Sequence, residues 1–241
     1  FGHRRWCPPP VRGCVVVGRV ALAGRLGSPA SVALVAGGAV AGLSGSWFGV
    51  AGGRSLSASW SPLVSRVVAG LSASGAGLAV GCASGADRLA LSAALALPVV
   101  PPLAVFAVAS GPASAPALAS LPPGVVRWSA GGPSESGGFA SSVPFRARLA
   151  CRSRALVAAL PAGSPLVVFF ASAASVGSAL AARAAAARGL PVFAFACGFP
   201  ASSLPALGAG SWAPEASGVL SGSWRWCPAQ SSLWPGIEAQ R

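Results

Sequence analysis

Three stretches poor in side chains carry the residues best suited to chemistry: Gly52-Gly53-Arg54-Ser55, Gly81 to Asp87, and Ser172 to Ser178. A bend built from Gly, Ala and Ser ahead of a helix leaves backbone N–H groups exposed, which suits phosphate or another anion. Arg54 follows the first bend, where a guanidinium can clamp a phosphate through two parallel hydrogen bonds. Asp87 is the only aspartate in the chain. It stands at an expected helix start, where its charge suits the positive helix end. Two roles are open to it: bonding a ribose hydroxyl, or holding the bend through backbone N–H groups. Ser84 and Ser178 can donate to phosphate oxygens. Gly52, Gly53, Ser55, Gly81, Gly85, Ser175 and Gly177 complete the expected ligand-binding set.

A second group lies on one expected helix. Arg146, Arg148, Arg152 and Arg154 can form a strip that follows a nucleic-acid backbone, or a solvated helix face. Phe145 and Trp128 can stack on a base, but core packing is the preferred reading for both. Catalysis by a Ser-His-Asp or Cys-His arrangement is not expected, because the single His3 lies in the N-terminal tail. The six cysteines are scattered and none has C-x-x-C spacing, so no metal site and no cofactor is expected. Free thiols suit a reduced, cytoplasmic setting.

These residues need elements to position them. Trp47–Ala51 reads as a first strand. Ser61-Pro62 opens a helix, with Ser as cap and Pro at the first helical position. Leu63, Val64, Val67, Val68 and Leu71 fall on one face of that helix, and Gly75 and Gly77 end it. Leu78–Val80 is a short apolar strand of the kind covered on both faces. The second bend and a helix follow it. Leu103–Val108 reads as a third strand and Val125–Trp128 as a short fourth. Gly111–Pro123 and Gly131–Gly138 read as loops. Pro144–Leu160 is a helix with Phe145, Leu149, Leu156 and Leu160 as its buried stripe. Pro165–Ala171 is the strongest strand. The third bend, a helix over Ala179–Arg188 capped by Gly189, and a last core strand over Leu190–Phe195 complete the series.

Alternation of strand and helix predicts an α/β fold: a Rossmann-like, doubly wound parallel sheet with helices on both faces. In such sheets the ligand site lies beyond the carboxyl ends of the strands, where the three bends would meet. Residues 1–46 are expected to be a low-complexity, disordered segment, 47–199 the domain, and 200–241 an irregular tail. Gly27–Ser46 is uncharged and long enough to span a bilayer, but its glycines and Pro29 disfavour that reading.

All 17 basic residues are Arg, against four acids, and the net charge is +13. This balance favours a polyanion such as nucleic acid, or an anionic membrane surface. The chain lacks Lys, Met, Tyr, Asn and Thr, which points to a strong nucleotide bias in the gene. Phe1 in place of a start Met suggests a fragment or a computed open reading frame.

The three bends, in this order and spacing, resemble the SLOG superfamily of Rossmann-like domains, most closely the DNA-processing protein A (DprA)-like branch. Gly52-Gly53-Arg54 is similar to the Gly-Ser-Arg that follows that family's first strand. Gly81–Asp87 matches its G-x-A-x-G-x-D bend. Arg152-Ser153-Arg154 resembles its Arg-x-Arg, and Gly177-Ser178 its final Gly-Ser/Thr before a helix. The resemblance spans Trp47 to Phe195. It implies a nucleotide, a nucleotide-derived ligand or single-stranded DNA as partner, in DNA processing or recombination, and leaves a homo-oligomer open. Related phosphoribohydrolases carry Pro-Gly-Gly-x-Gly-Thr-x-x-Glu. The corresponding Ala174–Ala181 lacks the Glu, so no carboxylate is left there for that chemistry.

Three function classes therefore stand at this point. The favoured one is a non-enzymatic binder of nucleotide or single-stranded DNA. The second is a nucleotide-cleaving enzyme. The third is a translated GC-rich frame without evolved function, against which stands the orderly strand–turn–helix series.

Overall fold

The structure, a computed structural model, describes residues 42–108, 121, 125–128 and 144–229. The expected loop at 131–138, the one at 111–123 apart from residue 121, and most of the 1–46 segment lie outside these residues. So does all but the end of the uncharged 27–46 stretch. Among the described residues no helix is long and apolar enough to cross a membrane.

Short runs of Val, Ala, Leu and Phe form the central strands because they can be covered on both faces. β1 (Trp47–Gly52), β2 (Gly77–Gly81), β3 (Leu103–Ala107), β4 (Val126–Trp128), β5 (Leu166–Phe170) and β6 (Val192–Ala196) run parallel. Val50 pairs with Val80 on one side and with Val167 on the other, so β1 is central. β7 (Gly210–Pro214) and β8 (Trp224–Pro228) form an antiparallel hairpin that continues the sheet from β6. The order across the sheet is β4-β3-β2-β1-β5-β6-β8-β7.

Among the described residues four helices cover this sheet, two on each face. α1 (Ser61–Ser72) and α2 (Ala86–Leu95) bury Val64, Val67, Val68, Ala90 and Leu91 against Phe48, Val50, Val80 and Phe169. α3 (Phe145–Ala159) and α4 (Val176–Ala187) bury Leu156, Val157, Ala181, Ala182 and Ala185 against Phe106, Val168 and Phe170 on the opposite face. The alanines of α4 bring that helix close to the strands. Arg188, just past its end, donates to the carbonyls of Val157 and Leu160 at the end of α3, where the Val157 carbonyl also accepts the Leu160 N–H. The doubly wound α/β fold is therefore as the alternating pattern predicts.

Three details differ from the sequence reading. Ser61 is the first helical residue rather than a cap; Trp60 takes the cap position without a side-chain bond, and Pro62 follows in the first turn. Leu43, expected in the low-complexity segment, is buried and donates its N–H to the Ala159 carbonyl. The largest difference is the stretch from 200 onward. Expected as an irregular tail, it instead supplies two strands, and Leu204, Leu207 and Trp226 join the core. Trp212 meets Trp226 edge to face at 5.2 Å and donates its indole N–H to the Pro205 carbonyl. Burial of this aromatic pair overrides the Pro and Gly residues that argue against strands.

Candidate functional site: the rim of the sheet

β1 and β5 are neighbours, yet their following connections leave in opposite directions, β1 towards β2 and β5 towards β6. Such a switch point leaves a crevice outside the strand ends. The first bend leaves β1 there and is wedged between the other two. Gly53 donates its N–H to the Phe169 carbonyl at 2.9 Å, and its own carbonyl accepts from Leu56 and Ala86. A Cβ on Gly53 would stand 2.7 Å from the Ala171 Cβ, at the start of the third bend. A Cβ on Gly52 would collide with Ala86 and Phe169. Gly85 has φ +70° and presses against the Gly53 and Arg54 carbonyls. Both the space and the backbone angle there exclude a side chain. Ser84 donates its hydroxyl to the Arg54 carbonyl at 3.2 Å. The three bends converge through these contacts.

The candidate side chains divide into two groups. Arg54, Ser55 and Ser84 are exposed on the first and second bends, and Gly177 is exposed at the start of α4. The Arg54 guanidinium makes no hydrogen bond to another described residue. Asp87 and Ser178 are buried. Asp87 is 3 % exposed and accepts the Ala83 N–H at 3.2 Å and an Arg152 N–H at 2.9 Å through one carboxylate oxygen. Of its two open roles, holding the bend is the one it fills. Ser178 lies 2.7 Å, hydroxyl to hydroxyl, from Ser175, the residue that precedes α4. Its hydroxyl is engaged beneath the surface.

The four arginines of α3 do not form one strip. Arg146 and Arg154 face solvent, while Arg148 and Arg152 are each only 7 % exposed. Residues four apart share a helix face, and here that face is turned to the sheet. The Arg152 guanidinium lies over Gly81, the last residue of β2, where any side chain would collide with Arg152 and Asp87. Arg152 is thus a buried partner of Asp87, not a member of an exposed strip. Its Nε has no hydrogen-bond partner among the described residues.

Phe145 reverses its sequence reading. Expected in the buried stripe, it is 38 % exposed, and the Arg148 guanidinium lies over its ring 5.4 Å from the centroid. Leu156 and Leu160 of the same stripe are buried as expected, against Gly49 in the middle of β1. The sequence signal for this difference is length: Arg152 already lies at Gly81, the last residue of β2, and the helix begins seven residues earlier, at Phe145. Trp128 is in β4, with its side chain outside the described set.

Cys197, which follows β6, is a buried group whose pKa is displaced. Burial pushes its thiol up to about 12, so at neutral pH it is a protonated thiol and not a nucleophile. Among the described residues no three His, Cys, Asp or Glu side chains are grouped to hold a metal ion. No known family model matches the chain, and no curated protein is significantly similar to it.

Proposed function

We propose that the chain is a non-enzymatic binder of a nucleotide, a nucleotide-derived ligand or single-stranded DNA, held at the rim between β1, β2 and β5. The observation that carries this reading is the wedging of Gly53 between Gly85 and Ala171. It brings three side-chain-poor bends and the starts of α2 and α4 to one crevice. Backbone N–H groups and helix ends there favour negative charge. Arg54 stands beside them, exposed and free to clamp a phosphate. The excess of 17 Arg over four acids adds long-range attraction for a polyanion. The resemblance of the bends to the SLOG superfamily supports the same partner class and a role in DNA processing or recombination, and the scattered free thiols support a cytoplasmic setting.

Nucleotide cleavage is the weaker reading. Asp87 is the one carboxylate in the described bends, and it is buried and committed to Arg152 and Ala83.

A panel of nucleotides and short DNA strands, screened by thermal stabilisation of the full chain, tests the proposal. A ligand that raises the melting temperature is expected, with affinity that falls as salt rises. Arg54→Ala is expected to weaken that binding and to lower the salt slope by about one. Absence of binding at low salt across the panel overturns the proposal.

A further inference from the structure

We infer that Phe145 is a stacking shelf for a nucleobase at the edge of the rim. Phe145, Arg148, Arg152 and Leu156 follow one another at spacings of three, four and four, so they share the face of α3 that is turned to the sheet. Along that face Leu156 sits over the middle of β1, and Arg152 over the last residue of β2. α3 therefore runs from the rim towards the opposite end of the sheet. Phe145 lies seven residues before Arg152, about 10 Å further along the helix axis. That carries it past the strand ends while it still belongs to the inward stripe. The ring is left partly exposed at the rim instead of being packed in the core.

Its orientation is fixed from one side. The Arg148 guanidinium, itself buried, lies over one face of the ring. An aromatic ring held in this way and left partly exposed loses little freedom when a base stacks on it. Arg146, the next residue, is exposed and can meet the phosphate attached to such a base. The charge balance of the chain favours this occupant over an apolar peptide, since each nucleotide brings a negative charge with its aromatic base.

The shelf rests on the proposed nucleotide or single-stranded DNA reading, and one experiment separates the two. The full chain is titrated with a labelled oligodeoxythymidylate and with an abasic strand of the same length and phosphate count. Wild type is expected to prefer the base-bearing strand. Phe145→Ala is expected to weaken that strand about tenfold, the effect of one lost stack, and to leave the abasic strand unchanged. Phe145→Trp is expected to restore the preference. Displacement of the strand from wild type but not from Phe145→Ala by thymidine monophosphate supports the shelf with a free nucleotide as its occupant. Failure of the monophosphate to displace it supports the shelf with a strand as occupant. If both strands bind and Phe145→Ala weakens both equally or neither, the shelf is overturned and the rim reading stands. If neither strand nor monophosphate binds wild type, both are overturned. Phe145 is partly exposed at the first position of its helix, so an unchanged melting temperature is expected for both variants.

Discussion

Arg152 donates to Asp87 across 2.9 Å, from a helix on one face of the sheet to the first turn of a helix on the other. The pair bridges the end of β2, and Gly81 beneath it has no room for a side chain. Asp87 in turn bonds the Ala83 N–H, so the pair fixes the shape of the second bend as well as joining two layers.

Removing one partner leaves the other charge buried without its counter-ion. Asp87→Ala is expected to cost about 3–5 kcal/mol in chemical denaturation. Arg152→Ala is expected to cost less, since Asp87 keeps the Ala83 N–H. The double substitution is expected to cost less than the sum of the two. Strict additivity would show that the two groups do not interact in solution.

The third bend depends on a smaller polar pair. Ser178 is 1 % exposed, and its hydroxyl meets that of Ser175. Ser175→Ala leaves the Ser178 hydroxyl buried without that partner, and a loss of about 1–2 kcal/mol is expected. Ser175→Ala with Ser178→Ala is expected to recover part of this, because the stranded group is then gone. Thermal melts of the three variants decide it. A double variant less stable than Ser175→Ala would show that packing, not the hydroxyl pair, holds the start of α4.

Burial of Cys197 makes stability depend on pH. Its thiol ionises near 9.0 when exposed and near 12 in the fold. Below 9.0 the thiol is protonated in both states, and its contribution is fully present. Above that the unfolded chain loses the proton first, so stability falls as pH rises through the window up to about 12. Cys197→Ala is expected to flatten this decline, measured as urea midpoints across the alkaline range. Tyr and Lys are absent from the chain, which leaves few other groups to obscure it. In the native protein at pH 8 a thiol reagent is expected to modify the exposed Cys227 and spare Cys197.

The parallel core was legible in the sequence because its strands are buried on both faces and therefore read as unbroken apolar runs. Leu166–Phe170 is the plainest example, with every residue buried. The convergence of Gly53, Gly85 and Ala171 was legible for a related reason: an α/β sheet gathers its strand-end bends at one rim. What the sequence hid was the direction of polar side chains. Arg148 and Arg152 read as solvated by type, yet their four-residue spacing sets both on the sheet face, where Asp87 compensates Arg152. Phe145 read as core by type and periodicity, but periodicity does not say where the sheet beneath a helix stops. The β7–β8 hairpin was missed because Pro214, Pro228 and the glycines around them mask an alternation carried by Trp212, Trp224 and Trp226.

That hairpin gives the last test, since it separates a structural terminus from an appended one. Trp226 is buried against the core cluster of α3 and α4, while its neighbour Arg225 faces solvent. Trp226→Ala removes a large buried ring and its edge-to-face contact with Trp212, and a loss of about 3–5 kcal/mol is expected. Arg225→Ala, on the opposite side of the same strand, is expected to stay within about 0.5 kcal/mol of wild type. The hairpin also covers the β6 edge, pairing Phe193 with Arg225 and Ala194 with Trp224. Ending the chain after Leu207 strips that edge of its partners and exposes the Trp226 site, so the shortened protein is expected to melt lower and to aggregate on heating. A shortened chain that melts at the wild-type temperature would return these residues to the status of a tail.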